Sequence, residues 1–267
     1  MTLDINGLKE WQSKLEQESL KEIYEDLPKS LINATNNNIL NYCLQEQKFG
    51  AKLDSSPRVI NNWINTGVLK VDEIDKGKIR RFNKIESIWL NLVIESRKFG
   101  VPLNILEQAR KSLLESPIIN FSLLKFAVLE TVLRKPKMVV IFEEGYSSIM
   151  STETYSKWIS KDLFPTHINF KLSELVKKEF PKNALDTDFN IANVYEDVDK
   201  IKLLYFMKTG DYLHMKLHLS KNDIRIIENS NALIENSELF EIISAWDFQK
   251  IDIVINDEVE TSIIVRS

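Results

Sequence analysis

The punctuation between residues 55 and 102 constrains this chain more than any other feature. Ser55 and Ser56 stand before Pro57, the order of a helix N-cap followed by proline in the first turn. The helix they open reaches about Asn65, and Gly67 supplies a left-handed stop. From Lys70 to Arg81, short apolar–polar alternation around Gly77 reads as a hairpin. Asn83 and Glu86 then have the spacing of a capping box. Ile85, Ile88, Trp89, Leu92 and Val93 give the following helix an apolar face, which Phe99-Gly100 ends. Pro102 opens a further helix to Leu114. Upstream, residues 39–48 read as a helix and residues 50–54 as a turn. The order is therefore helix, turn, helix, hairpin, helix, helix.

Charge singles out the same block. The chain is acidic, with a formal net charge of -4 over 267 residues. Between residues 52 and 84, however, eight cations (Lys52, Arg58, Lys70, Lys76, Lys78, Arg80, Arg81, Lys84) accompany four anions (Asp54, Asp72, Glu73, Asp75). That window is +4 and the remainder -8, the pattern of one nucleic-acid-binding module attached to acidic parts. A short helix after a tight turn has the geometry to enter a major groove. A hairpin behind it can lie along the backbone, where phosphates need cations such as Lys76, Lys78, Arg80 and Arg81.

Three phrases in this block resemble the MerR family. SSPRVINNWINTGVL is similar to that family's recognition-helix signature: a Ser-Pro-Arg start, a midway aromatic, then Gly and an apolar pair. KIRRFNKIESIWL resembles its end of wing, and RKFGVPLNILEQARKSL the phrase that follows. The resemblance covers about residues 39–115 and implies a winged helix-turn-helix that binds double-stranded DNA, in a transcriptional regulator acting as a homodimer. Asn61 and Asn62 stand where the family usually has an Arg-Tyr pair. The family often carries a ligand-sensing C-terminal domain, which extends to this chain a small-molecule effector of unassigned identity. Thiol-based metal sensing is not expected, because Cys43 is the single cysteine and reads as a small buried hydrophobe.

Independently of the family, Ser56, Arg58, Asn61 and Asn62 fall on the outer side of the short helix. Asparagine pairs bidentately with adenine, and arginine with guanine or phosphate. Val59, Ile60, Trp63 and Ile64 are placed to pack. The expected DNA-binding set is Ser56, Arg58, Asn61, Asn62, Lys78, Arg80 and Arg81.

The rest of the chain supplies α+β scaffolding, read as five parts. Residues 1–36 are an amphipathic helix (about 5–27) and a polar linker (33–38); residues 37–116 are the winged helix-turn-helix; residues 117–135 are a connecting or dimerisation helix. Residues 136–195 form a mixed α/β region with strands at KMVVIF, YSSIM and THINF, a helix at TETYSKWIS, and a second helix capped by Ser173. Residues 196–267 hold a duplication at a spacing of 36, in which Asp211-Tyr212 aligns with Asp247-Phe248. Each half reads α-β-β, with the second strands shifted by one further residue, and two such units are expected to share one small sheet.

Catalysis is not expected: no grouped Ser, His and Asp or paired carboxylates stand out, and the seven glycines are too scattered for a phosphate loop. No cofactor or metal is expected, His214 and His218 lying on a strand-like segment. No apolar run approaches the ~18 residues of a membrane span, and the N-terminus lacks a leader's apolar stretch, so a cytoplasmic, nucleoid-associated protein is expected. Two other readings share the block: a mobile-element accessory factor of the excisionase kind, and a protein-interaction module whose winged helix no longer contacts DNA.

Overall fold

The computed structural model describes residues 29–50, 56–70, 81–115, 122–133, 136–180, 189–228 and 237–265. Helices and antiparallel sheets are mixed, so the class is α+β. The helix expected at 5–27 and the hairpin residues 71–80 lie outside the described residues.

The polar run read as a linker turns only at Asn36 and Asn37, with helices on either side. α1 (Lys29–Thr35) buries Leu31 and Ala34, and the Thr35 hydroxyl donates to the Leu31 carbonyl at 2.9 Å. Burying that apolar pair outweighs the weak helix propensity of Asn and Thr. Asn37 caps α2 (Asn38–Asn41), its Oδ1 accepting from the Ile39 N–H at 3.0 Å. A π-helical turn follows over Tyr42–Glu46.

The chain divides into two compact units. One includes Leu44–Thr131 and Lys135–Glu179; the other gathers Pro28–Cys43, Val132–Arg134 and Phe180–Ser267. The division runs across the boundaries read from the sequence, since segment 28–43 belongs with the C-terminal part.

In the first unit, β1 (Phe49–Gly50) precedes α3 (Pro57–Asn65), and β2 (Arg81–Phe82) leads into α4 (Lys84–Lys98). β1 pairs with β2, so Gly50 is a strand residue rather than the start of a turn. Asn83 Oδ1 accepts from the Glu86 N–H at 2.8 Å, and Glu86 accepts from the Asn83 N–H at 2.9 Å, the expected capping box. The Asn83 amide also donates to the Gln45 carbonyl at 3.0 Å. The five apolar residues foreseen on α4 are all buried. α5 (Leu103–Leu114) and α6 (Leu123–Val132) follow. α6 is buried along nearly its whole length.

β3 (Lys137–Phe142) lies between β4 (Ser147–Ser151) and β5 (His167–Lys171), all antiparallel. α7 (Thr152–Ser160) sends Tyr155 and Trp158 onto Met138, Val140, Phe142 and Met150. Asn169 donates to the Tyr155 oxygen at 2.7 Å, and that hydroxyl meets His167 Nε2 at 3.0 Å. His167 Nδ1 faces the Pro165 carbonyl at 2.8 Å, which places the ring proton on Nδ1 and leaves Nε2 to accept from the phenol. α8 (Leu172–Glu179) begins one residue before Ser173, so Ser173 lies inside the helix rather than capping it.

The second unit carries the duplication. α9 (Val198–Thr209), β6 (His214–His218) and β7 (Ile224–Glu228) are repeated as α10 (Ser237–Ser244), β8 (Lys250–Val254) and β9 (Glu260–Ile264). They form one sheet in the order β7-β6-β8-β9. Both strand pairs share the offset of 36, which removes the extra one-residue shift read for the second strands. Even single bonds repeat: Leu213 N–H to Val254 O (2.7 Å) matches Gln249 N–H to His218 O (2.9 Å). Central pairing joins Lys216 to Asp252, two equivalent positions, so a local two-fold passes through the sheet between them. Met215, Leu217, Ile251 and Ile253 fill the buried face. Gly210 caps α9 with φ +63, and the equivalent Trp246, just beyond α10, has φ +62, an uncommon conformation for a bulky residue.

Candidate nucleic-acid interface

The short helix α3 starts where Pro57 fixes a helical φ and has no N–H to satisfy. Ser56 is its N-cap by backbone position, with no side-chain cap bond and no acidic residue in the first turn. Ile60 and Trp63 turn inward and are buried. Arg58, Asn61 and Asn62 are exposed, and so is Asn65. These four follow i, i+3, i+4 and i+7 spacing, which aligns them along one side of the helix. Ser56 is exposed just ahead of them. Val59, expected to pack, is 38% exposed and widens this outer surface.

The far end of α3 is clamped. Gly67 turns the chain with φ +76, the left-handed conformation that favours glycine, and a Cβ there would crowd the Glu107 side chain at 3.3 Å. Arg110 of α5, almost wholly buried, donates from Nε to the Gly67 carbonyl at 2.7 Å and from Nη1 to Glu115 Oε1 at 2.8 Å. Lys70 pairs with the same Glu115 oxygen. The two cations, Arg110 first, hold the Glu115 carboxyl at about 2, far below 4.5. One residue beyond Gly67, the Trp89 indole donates to the Val68 carbonyl at 2.8 Å. Two helices of the unit thus grip the turn that follows α3.

The same unit carries a two-stranded ladder. Phe49 pairs with Phe82, and Gly50 with Arg81. Arg81 is exposed, whereas Lys84 is buried with its ammonium 5.5 Å from the centre of the Phe49 ring. Of the seven expected contact residues, Arg58, Asn61 and Asn62 share α3, Ser56 is its N-cap, and Arg81 stands on β2. Lys78 and Arg80 lie outside the described residues. Sequence reasoning passed over Asn65, although its place seven residues after Arg58 marked it. It also passed over Arg110, whose signal as a cation inside an apolar helix face was weak.

Another polar constellation joins residues distant in sequence. Asp252 meets His218 Nε2 at 2.9 Å, accepts from the Ser262 hydroxyl at 2.5 Å and pairs with Lys250 at 2.8 Å. These partners outweigh burial and lower its carboxyl below the usual range. The acidic neighbour of His218 is 34 residues away, out of reach of a local search.

No protein-family model matches this chain, and neither does any curated protein or solved structure.

Proposed function

We propose that the protein is a sequence-specific DNA-binding regulator of MerR type, with α3 read into a major groove and the Arg81 ribbon against the phosphates. The observation that carries the reading is the polar stripe of Arg58, Asn61, Asn62 and Asn65 on a short exposed helix whose C-terminal turn is held by Arg110 and Trp89. Rigid support matters because base readout needs donors fixed relative to the backbone contacts. Asn61 and Asn62 suit adenine edges, and Arg58 suits guanine or phosphate. The excess of cations in residues 52–84 supplies the salt-dependent part of the affinity.

The net charge of -4 favours a second reading, a protein-interaction module that has given up DNA. Fluorescence anisotropy of a labelled random-sequence duplex, titrated at about 50 and about 200 mM salt, separates the two. The DNA reading requires binding that falls steeply between those salt concentrations, as phosphate contacts release counterions. No binding at the lower salt sinks it and leaves the interaction module.

A further inference from the structure

The sheet of the second unit buries one face and leaves the other open. On the open face the edge strands carry Ile224 (51% exposed), Ile226 (64%) and Ile264 (61%). Lys216 and Asp252 occupy the middle, side by side on the central strands. We propose that this face docks against the same face of a second copy of the chain, forming a weak two-fold dimer independent of DNA.

The occupant follows from the charge pattern. The local two-fold within the chain exchanges Lys216 with Asp252, so opposite charges stand on either side of the sheet centre. Two such faces can meet about an axis across the strands or along them. An axis across the strands sets Lys216 against Lys216 and Asp252 against Asp252, which is repulsive. An axis along the strands, between β6 and β8, sets Lys216 of each copy over Asp252 of the other. The register then brings Ile224, level with His218 and Lys250, over Ile264 of the other copy. Both contacts occur twice, as a two-fold interface requires. Aligned packing of this kind is ordinary for two sheets, which sit ~10 Å apart.

The same geometry sets the strength. Four strands at ~4.8 Å spacing and five residues at ~3.3 Å rise give a footprint of roughly 300 Å² per copy. Stable interfaces bury about 800 Å² per partner, so the pair is expected to be weak and to form only at high protein concentration. Glu228 meets Glu260 of the other copy at two corners, like-charge contacts that further weaken the pair.

Sedimentation equilibrium of the full chain, without DNA, from about 10 to about 500 µM tests this. The wild type is expected to shift from monomer to dimer across that range. Ile264→Glu and Ile224→Lys, both at exposed positions, each raise the dimer Kd by about tenfold or more. Mixed one to one, the two variants pair: one of the two contacts becomes Lys–Glu and the other stays Ile–Ile. The mixed Kd returns to within about threefold of wild type, while Glu260→Gln tightens the wild-type dimer. Circular dichroism of each variant checks that the fold is intact. A chain monomeric at every concentration means that something else covers this face, and overturns the proposal. So does a dimer indifferent to both isoleucine substitutions, or a mixture no tighter than either variant alone.

Discussion

Replacing Arg110 with methionine tests the clamp behind α3. Methionine keeps most of the buried aliphatic volume and removes only the guanidinium. The Gly67 carbonyl loses a charge-assisted donor at 2.7 Å and Glu115 loses its nearer cation. A hydrogen bond to a charged group contributes about 1.5–3 kcal/mol, so a loss near 2 kcal/mol is expected at neutral pH. For a chain of this size that lowers Tm by about 4–8 °C. The effect also has a pH signature. Glu115 has a folded pKa of about 2 against 4.5, so its contribution is present above pH 4.5 and lost as pH falls toward 2. The gap between wild type and Arg110→Met should therefore narrow over that window without closing, because the bond to Gly67 does not titrate. Thermal melts from pH 2 to 7, with the Trp89 indole N–H followed by NMR, provide the measurement. A gap that is absent, or constant across that pH range, refutes the clamp.

Asn83→Ala removes both the cap of α4 and the bond to Gln45, and should destabilise the first unit by about 1–2 kcal/mol in denaturant titrations. Gly210→Ala forces a side chain into the left-handed region at the end of α9, with an expected loss of about 1 kcal/mol; an unchanged midpoint would contradict the φ of +63. Lys125 is buried, which lowers its pKa from 10.5 to about 8. The unfolded state then holds the proton more tightly between those values, so stability should rise as pH rises from 8 to 10.5, and Lys125→Met should flatten that rise.

Local chemistry was legible in the sequence and long-range packing was not. The Ser56-Pro57 start, the Gly67 stop and the Asn83–Glu86 box each depend on residues within a few positions, and each recurs in the structure. The duplication was visible because its spacing is constant. Its second strands were misaligned by one because Ile226-Ile227 resembles Ile263-Ile264, whereas the buried partners are Ile227 and Ile263. A slip of one residue exchanges the two faces of a strand, and only pairing to β6 and β8 decides which face is buried. The run at 33–38 turns at Asn36-Asn37 as its composition favours, while residues 33–35 are helical because α1, with Leu31 and Ala34 buried, meets α9 far along the chain. At the candidate interface, the outer residues of α3 followed from helical periodicity. The β1–β2 pairing bridges 31 to 33 residues and the Arg110 clamp 43, and no local pattern announces them.

Selection of bound fragments from a genomic library, run in parallel with wild type, Asn61→Ala and Arg81→Glu, bears most directly on the DNA reading. Enrichment of one motif by the wild type is expected, with a changed preference at one or two bases for Asn61→Ala. Arg81→Glu should weaken binding to every fragment alike and lower the salt slope by about one. Equal recovery of all fragments by the three proteins, or none by any of them, would contradict the assignment of α3 as a groove-reading helix.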